Sequence, residues 1–356
     1  MKLTTTHRNI KNYITDNFNL TEKGCVKQPF FYFPFYTFYK YDLLVLYNVY
    51  MKKFCHYVEY LGLRFLIFIL GLMPENTLIK FGEFMGIVLT KIMPNRYKRS
   101  VSDIQKAFPN KTEKECKQIA KESWSNIGRI VTEFAKAIHA SKEEILSKFR
   151  FENCDQFFKD NQEGKGGILL LGHFANWETL GLAAAIKAKK MAFVAYPQRN
   201  QYVNEYISKL RKRFGSTLIS SHNPFFASFR ALKKGALVAV LADQSVISSK
   251  FYMNFLNRPA EVSPMPAVLS LKTGVPVYCL EFYRYGDKLV AHCSETIYPP
   301  KVEYSTASVA DFTKVLQSKL EKNVLDHPND WLWAHNRWKR EAEARKALEE
   351  GKVRAD

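Results

Sequence analysis

The chain carries the segment GGILLLGHFANWE, residues 166–178, in which a short apolar run stops at a glycine and a histidine follows at once. Residues 168–171 are typical of a strand buried on both faces of a parallel sheet. In α/β proteins, ligands and catalytic groups collect at the carboxyl ends of such strands. His173 therefore lies where a general base is expected, and Glu178, in the first turn of the next helix, could orient its imidazole. The opposite interpretation, a polar turn histidine and a solvated glutamate, stays open because this spacing also arises by chance.

Further segments with strand character follow this one. They are residues 191–196, 217–220, 237–241, 275–282 and 289–293. Residues 177–188 are helical in pattern and of crossover length, so the strands before and after them are predicted to be a parallel pair. The last two strands have a hairpin-like spacing around Gly286, which predicts an antiparallel addition. The sequence thus predicts an α/β fold with a mixed, mostly parallel central sheet flanked by helices.

Helix starts are marked by capping boxes, in which Ser or Thr precedes Glu by three residues. Thr112 with Glu115 opens a helix with apolar residues at helical spacing, and Ser141 with Glu144 opens the next. A further amphipathic helix is predicted over residues 311–325.

The N-terminal part of the chain changes character at Met51. Residues 1–27 are polar and are predicted to be a disordered or variable tail, and residues 28–50 are rich in aromatics but interrupted by prolines. Met51 and two lysines then precede an apolar, helix-compatible segment, and we expect the functional protein to begin near this methionine. The predicted organisation is a variable extension over residues 1–50, a membrane-anchoring helical segment over 51–93, the main α/β domain over 94–340 and a charged tail over 341–356.

A membrane-associated helix is predicted within the anchoring segment. Residues 65–73 are apolar, but Arg64 precedes them, and a spanning helix needs about 20 such residues. Residues 58–73 are therefore expected to form an interfacial or short anchoring helix rather than a firm span. Residues 78–92 could lie beside it at the surface. The two lysines before the apolar helix favour a cytoplasmic location for that end.

The chain is strongly basic. Its 356 residues include 53 Lys and Arg against 34 Asp and Glu, a net charge of +19. This balance suits nucleic acid, an anionic membrane surface, or an acidic protein or lipid, and the 14% aromatic content favours a lipid interface. Residues 331–339 mix tryptophans with cations, as in nucleic-acid stacking. No RNA- or DNA-binding motif accompanies them, so nucleic acid is not the predicted partner.

Neither a metal site nor a cofactor site is predicted. The six cysteines show no CxxC and no metal-ligand spacing, and they are expected to be reduced core thiols in a cytosolic compartment. The chain has no GxGxxG and no P-loop pattern, so a nucleotide cofactor is not indicated.

Polar side chains follow two more strands at their carboxyl ends. Arg199 lies after the strand at 191–196, and Asp243 lies after the strand at 237–241. A basic run over residues 209–213 lies near the end of the helix that follows Arg199. It is either a solvated helix face or a site for phosphate or an acidic carrier, since arginine suits phosphate and carboxylate. Three polar clusters at one sheet edge favour a functional site there.

The chain resembles the bacterial lipid A biosynthesis acyltransferases, the late lauroyl and myristoyl transferases within the wider glycerolipid acyltransferase group that shares a His-x4-Asp/Glu motif. The resemblance runs from about Met51 to Arg340. It is carried by residues 58–74, 107–109, 172–178, 211–215, 231–235, 242–244 and 331–337.

The resemblance implies transfer of a fatty acyl chain from acyl carrier protein to a hydroxyl of a phosphorylated lipid A precursor, on the cytoplasmic side of the cell inner membrane. It implies His173 as the base, oriented by Glu178, with no metal, cofactor or covalent enzyme intermediate. The partners would be acyl carrier protein, the phosphorylated glycolipid and an anionic membrane surface. The implied supporting groups are Arg199, Arg211, Arg213, Asp243 and Arg337.

Two departures from the family pattern concern the loops after the strands. Ser245 and Val246 stand where many relatives have a second Asp and a Gly. Pro197 follows Tyr196 where an arginine is usual, and Arg199 comes later.

Two other functions stay open. A glycerophospholipid acyltransferase would use the same chemistry but accept lysophosphatidate. A non-catalytic membrane protein that binds lipid or carrier would be indifferent to the loss of His173.

Overall fold

The structure is a computed structural model that describes residues 35–245 and 249–353, with side chains from residue 50 onward. The chain divides into two units, Met1–Phe54 and Cys55–Asp356. The second unit contains the sheet, and of the first only the helical course of residues 35–54 is described. The predicted tail over residues 1–27 lies outside the described residues.

Helices make up much of the described chain. In order they are α1 (Phe35–Leu72), α2 (Glu75–Ile92), α3 (Pro94–Ala107), α4 (Glu113–Ala137), α5 (Lys142–Ser147), α6 (Asp155–Gln162), α7 (Trp177–Lys187), α8 (Gln201–Arg211), α9 (Pro224–Lys233), α10 (Met265–Thr273), α11 (Thr306–Asp326) and α12 (Glu341–Glu349). Both predicted capping boxes are confirmed: Thr112 and Glu115 cap α4 reciprocally, and Ser141 and Glu144 cap α5.

The strands form a seven-stranded sheet and a separate hairpin. They are β1 (Phe149–Glu152), β2 (Gly167–Leu171), β3 (Met191–Ala195), β4 (Thr217–Ser220), β5 (Leu237–Leu241), β6 (Tyr252–Phe255), β7 (Arg258–Glu261), β8 (Val277–Tyr285) and β9 (Lys288–Ile297). The sheet order is β1-β9-β8-β2-β5-β3-β4, and every pairing in it is parallel except that of β8 with β9. The predicted mixed, mostly parallel sheet flanked by helices is confirmed, as is the antiparallel addition.

The prediction that β2 and β3 pair with each other was wrong. The two strands run in the same direction, but β5 lies between them and pairs with both. The burial of the strands accounts for this order. All of β2 and four of the five residues of β5 are buried, whereas the last three residues of β3 are partly exposed. The two most apolar strands therefore occupy the centre of the sheet.

Helix α1 begins at Phe35, well before Met51, because no proline or glycine interrupts residues 35–61. By length and composition, Tyr50–Leu72 is the one helix among the described residues that could cross a membrane. Ile67 and Leu70 are buried against α2 and α4. Most of the other large apolar side chains of this part of α1 are exposed.

The hairpin of β6 and β7 and the C-terminal helix complete the second unit. Leu256 and Asn257 form the two-residue turn, both with positive φ, as a type I′ hairpin turn requires. The predicted charged tail contains helix α12, whose Ala344 and Ala347 are buried against Tyr252. The described cysteines are all unpaired. Cys116, Cys154, Cys279 and Cys293 are buried, as expected for core thiols, but Cys55 is exposed, and Cys25 lies outside the described residues.

Candidate active site

The parallel pairing of β2 and β5 creates the candidate site. Leu171 is level with Leu241 in this pair, and the backbone N–H of Ala242 donates to the carbonyl of Leu171 at 3.1 Å. His173 and Asp243 each follow their strand by two residues. The register therefore brings the histidine and the aspartate to the same height at the carboxyl edge of the sheet.

His173 is held by Asp243 through two hydrogen bonds. The ring Nδ1 lies 2.7 Å from Oδ1 of Asp243, and the backbone N–H of His173 donates to Oδ2 at 2.9 Å. Because the carboxylate can only accept, the neutral ring carries its proton on Nδ1. Nε2 then has a free lone pair, and no hydrogen-bond partner for it lies within the described ranges. The side chain is 21% exposed, so a substrate can reach it.

Asp243 is fully buried and remains ionised. Burial alone would raise the pKa of its carboxyl, but the charge of protonated His173 and the hydrogen bonds from His173 and Trp331 outweigh it and lower the pKa to about 2. The indole N–H of Trp331 donates to Oδ2 at 2.7 Å. The arrangement supplies a permanent negative charge that can stabilise an imidazolium on His173.

The loop between β2 and α7 has an unusual backbone. A Cβ at Gly172 would lie 2.7 Å from the ring of Phe174 and 3.1 Å from Cγ of Asp243, so only glycine fits. Ala175 has a φ of +41°, which is rare for a residue with a side chain. The C-terminal segment fixes this loop, because Ala175 N–H donates to the carbonyl of Asp330 and Leu332 N–H donates to the carbonyl of His173, both at 3.0 Å.

The partner predicted for His173 has to be corrected. Glu178 forms a bidentate ion pair with Arg211, at 2.9 Å from Nε and 2.6 Å from Nη2, and it is Asp243 that orients the histidine. The reason is the direction of the chain: His173 lies against the neighbouring strand β5, whereas Glu178 lies on α7 and reaches the end of α8. Both members of the Glu178–Arg211 pair keep about a fifth of their side-chain surface exposed.

The other predicted arginines make no hydrogen bond to His173 or Asp243. Arg199 is exposed between β3 and α8, and within the described ranges it has no ion-pair partner. Arg213 donates to the carbonyls of Ala137 and Ile138 and so caps the end of α4. Arg337 is buried and donates to the carbonyl of Glu261 at 2.6 Å. Its charge acts on Asp243 without a hydrogen bond to it.

Sequence reasoning missed two features of the site. From the sequence, Trp331 was placed in a family block and in a run of aromatic and basic residues, but the binding of its indole N–H to a buried carboxylate was not predicted. The second is a partly buried ion cluster of Glu133, Arg284 and Arg129, next to the loop that carries His173. Single charged residues in a helix or strand give no signal that they meet.

An apolar seam runs between α7 and the sheet, beside His173. Trp177 is part of its lining, and the ring of Trp177 meets that of His173 edge-on with centroids 5.0 Å apart. The free volume is about 30 Å³, so the seam is nearly closed. Its lining includes Leu169, Leu171, Leu180, Gly181, Ala184, Phe157 and Phe158.

These features belong to a known class of proteins. An α/β sheet with a histidine at the carboxyl end of a central strand and an apolar seam beside it fits an enzyme that handles acyl chains. The chain belongs to the bacterial lipid A biosynthesis acyltransferase family, whose sequence profile matches residues 50–340.

Individual relatives are distant and of two kinds. A phosphatidylinositol mannoside acyltransferase of Mycobacterium tuberculosis is 22% identical over 183 residues, which cover 49% of this chain and 55% of the relative. A lipid A biosynthesis palmitoleoyltransferase of Escherichia coli is 21% identical over 269 residues, which cover 75% and 86%. A lipid A biosynthesis acyltransferase of Haemophilus influenzae is 22% identical, with coverages of 52% and 58%. The chain thus spans little more than half the length of the mycobacterial relative.

Proposed function

We propose that this protein transfers a fatty acyl chain from acyl carrier protein to a hydroxyl group of a lipid A precursor. The observation that carries the proposal is His173, which is bound through Nδ1 to a buried carboxylate and is open at Nε2 beside an apolar seam. A histidine held in this tautomer is suited to remove a proton from a hydroxyl group. Membership of the family supports acyl transfer as the class of reaction.

The proposed reaction is direct transfer in one active site. Nε2 of His173 takes the proton of the acceptor hydroxyl as its oxygen attacks the thioester carbonyl. The tetrahedral intermediate collapses, the C–S bond breaks, and the imidazolium returns its proton to the leaving thiolate. Asp243 stabilises the imidazolium between these steps, because its charge is fixed 2.7 Å from Nδ1. The products are an ester and a free thiol.

The apolar seam supplies a place for the acyl chain. Its lining includes Trp177, whose ring is next to that of His173, and the aromatic pair Phe157 and Phe158. A fatty chain is larger than the free volume of about 30 Å³, so it enters by separating α7 from the sheet. The gain from burying its methylene groups, about 0.8 kcal/mol each, offsets that opening.

The ion pair of Glu178 and Arg211 is proposed to contact the acceptor. Glu178 directly follows Trp177 and fixes the guanidinium of Arg211 in a defined orientation, while both remain partly exposed. An arginine held in this way can donate its remaining N–H groups to a phosphate or a sugar hydroxyl of the glycolipid.

The surface of the protein supports work at a membrane. Exposed apolar side chains crowd the C-terminal half of α1, and the net charge of +19 suits anionic lipid headgroups and an acidic carrier. We place the protein at the cell inner membrane, with its second unit on the cytoplasmic side where acyl carrier protein is found.

The test is a transfer assay with purified, detergent-solubilised protein. Carrier thioesters of several chain lengths are offered with three acceptors: a tetra-acylated lipid A precursor, a phosphatidylinositol mannoside and lysophosphatidate. Mass spectrometry should show the gain of one acyl group on the lipid A precursor. His173→Ala and Asp243→Asn should each lower kcat by about 10²- to 10⁴-fold, because general acid–base catalysis is lost. His222→Ala, at an exposed histidine stacked on Tyr196, is the matched control and should keep full activity.

Each contrary result has a definite meaning. Undiminished turnover by folded His173→Ala would remove the mechanism. Acylation of lysophosphatidate alone would move the protein to the glycerophospholipid branch, and acylation of the mannoside alone would move it to the mycobacterial type of acceptor. Binding of liposomes without any transfer would make it a lipid- or carrier-binding protein.

A further inference from the structure

A partly buried ion cluster lies next to the loop that carries His173. The carboxylate of Glu133 on α4 accepts hydrogen bonds from Nη1 and Nη2 of Arg284 on β8, at 3.0 and 3.1 Å. It also accepts hydrogen bonds from Nη2 of Arg129 at 3.1 Å and from the side-chain amide of Asn176 at 3.0 Å. Burial would raise the pKa of Glu133, but the charges of Arg284 and Arg129 outweigh it and lower the pKa. The cluster therefore stays ionised around neutral pH.

The cluster is linked by hydrogen bonds to two consecutive residues of the loop, Ala175 and Asn176. Asn176 caps α7 through Thr179 N–H and is itself held by Glu133. Ala175, with its positive φ, has its carbonyl bound by the side-chain amide of Asn126 at 3.1 Å. The oxygen of the Asn126 side chain accepts from Nη2 of Arg284 at 3.1 Å.

Arg284 binds, through its side chain, both residues that hold the loop, Glu133 and Asn126. It binds Glu133, which holds Asn176, and it binds Asn126, which holds Ala175. Its backbone N–H also donates to the carboxylate of Asp330 at 3.0 Å, next to the segment that bonds to the carbonyl of His173. A strained loop persists only where its surroundings over-determine it, and these contacts supply that constraint.

We propose that Glu133 and Arg284 are positioning residues, which hold the strained loop so that the ring of His173 stays in line with Asp243. Neither residue touches His173 or the apolar seam, so they act through Ala175 and Asn176. The proposal rests on the proposed function, because it assigns these residues to the site that performs the transfer. Nothing in the His-x4-Glu motif points to either residue.

The first test measures the kinetics of three variants. Glu133→Gln removes the charge at constant shape, and Arg284→Lys keeps the charge but cannot fork between Glu133 and Asn126. Both should lower kcat about 10- to 100-fold with little change in KM, because a small displacement of the base slows the chemistry and leaves substrate binding intact. Glu83→Gln is the matched control. It removes the charge of a partly exposed carboxylate that pairs with Arg129 at 3.3 Å and has no bond to Glu133, Arg284 or the loop, and its kcat should stay within about twofold of the parent.

The second test does not depend on activity. Imidazole nitrogen signals in ¹⁵N-histidine NMR spectra, assigned to His173 with His173→Ala, should show one tautomer protonated on Nδ1 in the parent and in Glu83→Gln. Glu133→Gln and Arg284→Lys should show a mixture of tautomers. A purely structural role would lower Tm while leaving kcat of the folded protein and the signal unchanged, and that result would overturn the proposal. If the parent transfers no acyl group, the proposed function fails, and the NMR outcome still decides the positioning role.

Discussion

At the scale of single residues, His335 is a titratable group near the site whose pKa is strongly shifted by its surroundings. Burial lowers its pKa to about 4, helped by the positive charges of His173, Lys339 and Arg337, while Asp243 opposes this shift. Its Nε2 is buried without a hydrogen-bond partner among the described residues. The native state therefore favours the neutral form of this ring.

The lowered pKa of His335 predicts a loss of stability in mild acid. The unfolded chain takes up a proton at this histidine below about pH 6.5, whereas the folded chain resists until about pH 4. The free energy of unfolding is therefore almost unaffected by this histidine at pH 7, and at pH 5 it is lower by about 2 kcal/mol. His335→Gln should lose about 2 kcal/mol less than the parent between these pH values in urea unfolding monitored in detergent. His222→Gln, at an exposed ring, should follow the parent curve; identical curves for all three proteins would contradict the prediction.

The residues of the site were predictable, but their pairing was not. His173 and Asp243 both follow apolar strands by two residues, and the sequence marks both. Their contact requires that β2 and β5 be neighbours, which depends on sheet order and not on local pattern. Glu178 was the nearer carboxylate along the chain, and so sequence proximity pointed to the wrong partner.

At the scale of elements, the close contact between α2 and α4 depends on glycines. A Cβ at Gly128 would lie 1.9 Å from the carbonyl oxygen of Gly82 and 2.7 Å from the nitrogen of Gly86. A Cβ at Gly86 would lie 2.2 Å from the carbonyl oxygen of Trp124. The obstacles are backbone atoms, which cannot swing away as a side chain can. Helix α4 carries Ser123 and Asn126, which bind the carbonyls of Trp331 and Ala175, so this contact also sets the position of the loop that carries His173.

Gly128→Ala should therefore destabilise the protein, although alanine is the better helix former. Forcing the two helices apart should lower the free energy of unfolding by about 3 kcal/mol. Gly62→Ala is the matched control in α1, where nothing lies within 4 Å of the added methyl. That variant should be as stable as the parent or more stable, by up to about 1 kcal/mol. Thermal unfolding of the three proteins side by side checks this, and equal losses in both variants would contradict it.

Elements with strong local signals were the ones that the sequence predicted correctly. The capping boxes fixed the starts of α4 and α5, and the apolar runs located β2 and β5. The hairpin of β6 and β7 was missed because its turn is Leu256-Asn257 in place of the usual Asn-Gly or Asp-Gly. Its backbone is stabilised from a distance, since Leu256 N–H donates to the carboxylate of Glu321. Such a contact leaves no local trace in the sequence.

At the scale of the whole molecule, apolar surface and positive charge point to a lipid bilayer. Phe65 and Leu72 on α1 are each 67% exposed, and Phe84 on α2 is 62% exposed. Side chains of this size at the surface of a basic protein are suited to enter the headgroup region of anionic membranes. The fold class itself followed from the composition and the strand pattern, whereas the sheet order depended on which strands bury best.

The double variant Phe65→Ser/Phe68→Ser should weaken membrane binding. Each phenylalanine that leaves the bilayer loses about 1.5 kcal/mol of burial free energy, so the partition coefficient of the double variant should fall at least tenfold. Sedimentation with vesicles of anionic lipid, compared with vesicles of neutral lipid, measures it. Phe226→Ser, at a phenylalanine on α9 that is 65% exposed, is the matched control and should bind as the parent does. Equal binding by all three proteins would show that this face of α1 does not touch lipid.

The hydrogen bond from Trp331 to Asp243 joins residues 88 positions apart, and this separation has a consequence for synthesis of the protein. While the ribosome is still making the later segments, the central strands can already pair. Asp243 then lacks the indole donor of Trp331, and the His173 loop lacks its hydrogen bonds to Asp330 and Leu332. The site is completed only when the tryptophan has emerged. A chain that ends before residue 331 would therefore keep both His173 and Asp243 but lack the indole N–H that holds Asp243 in place.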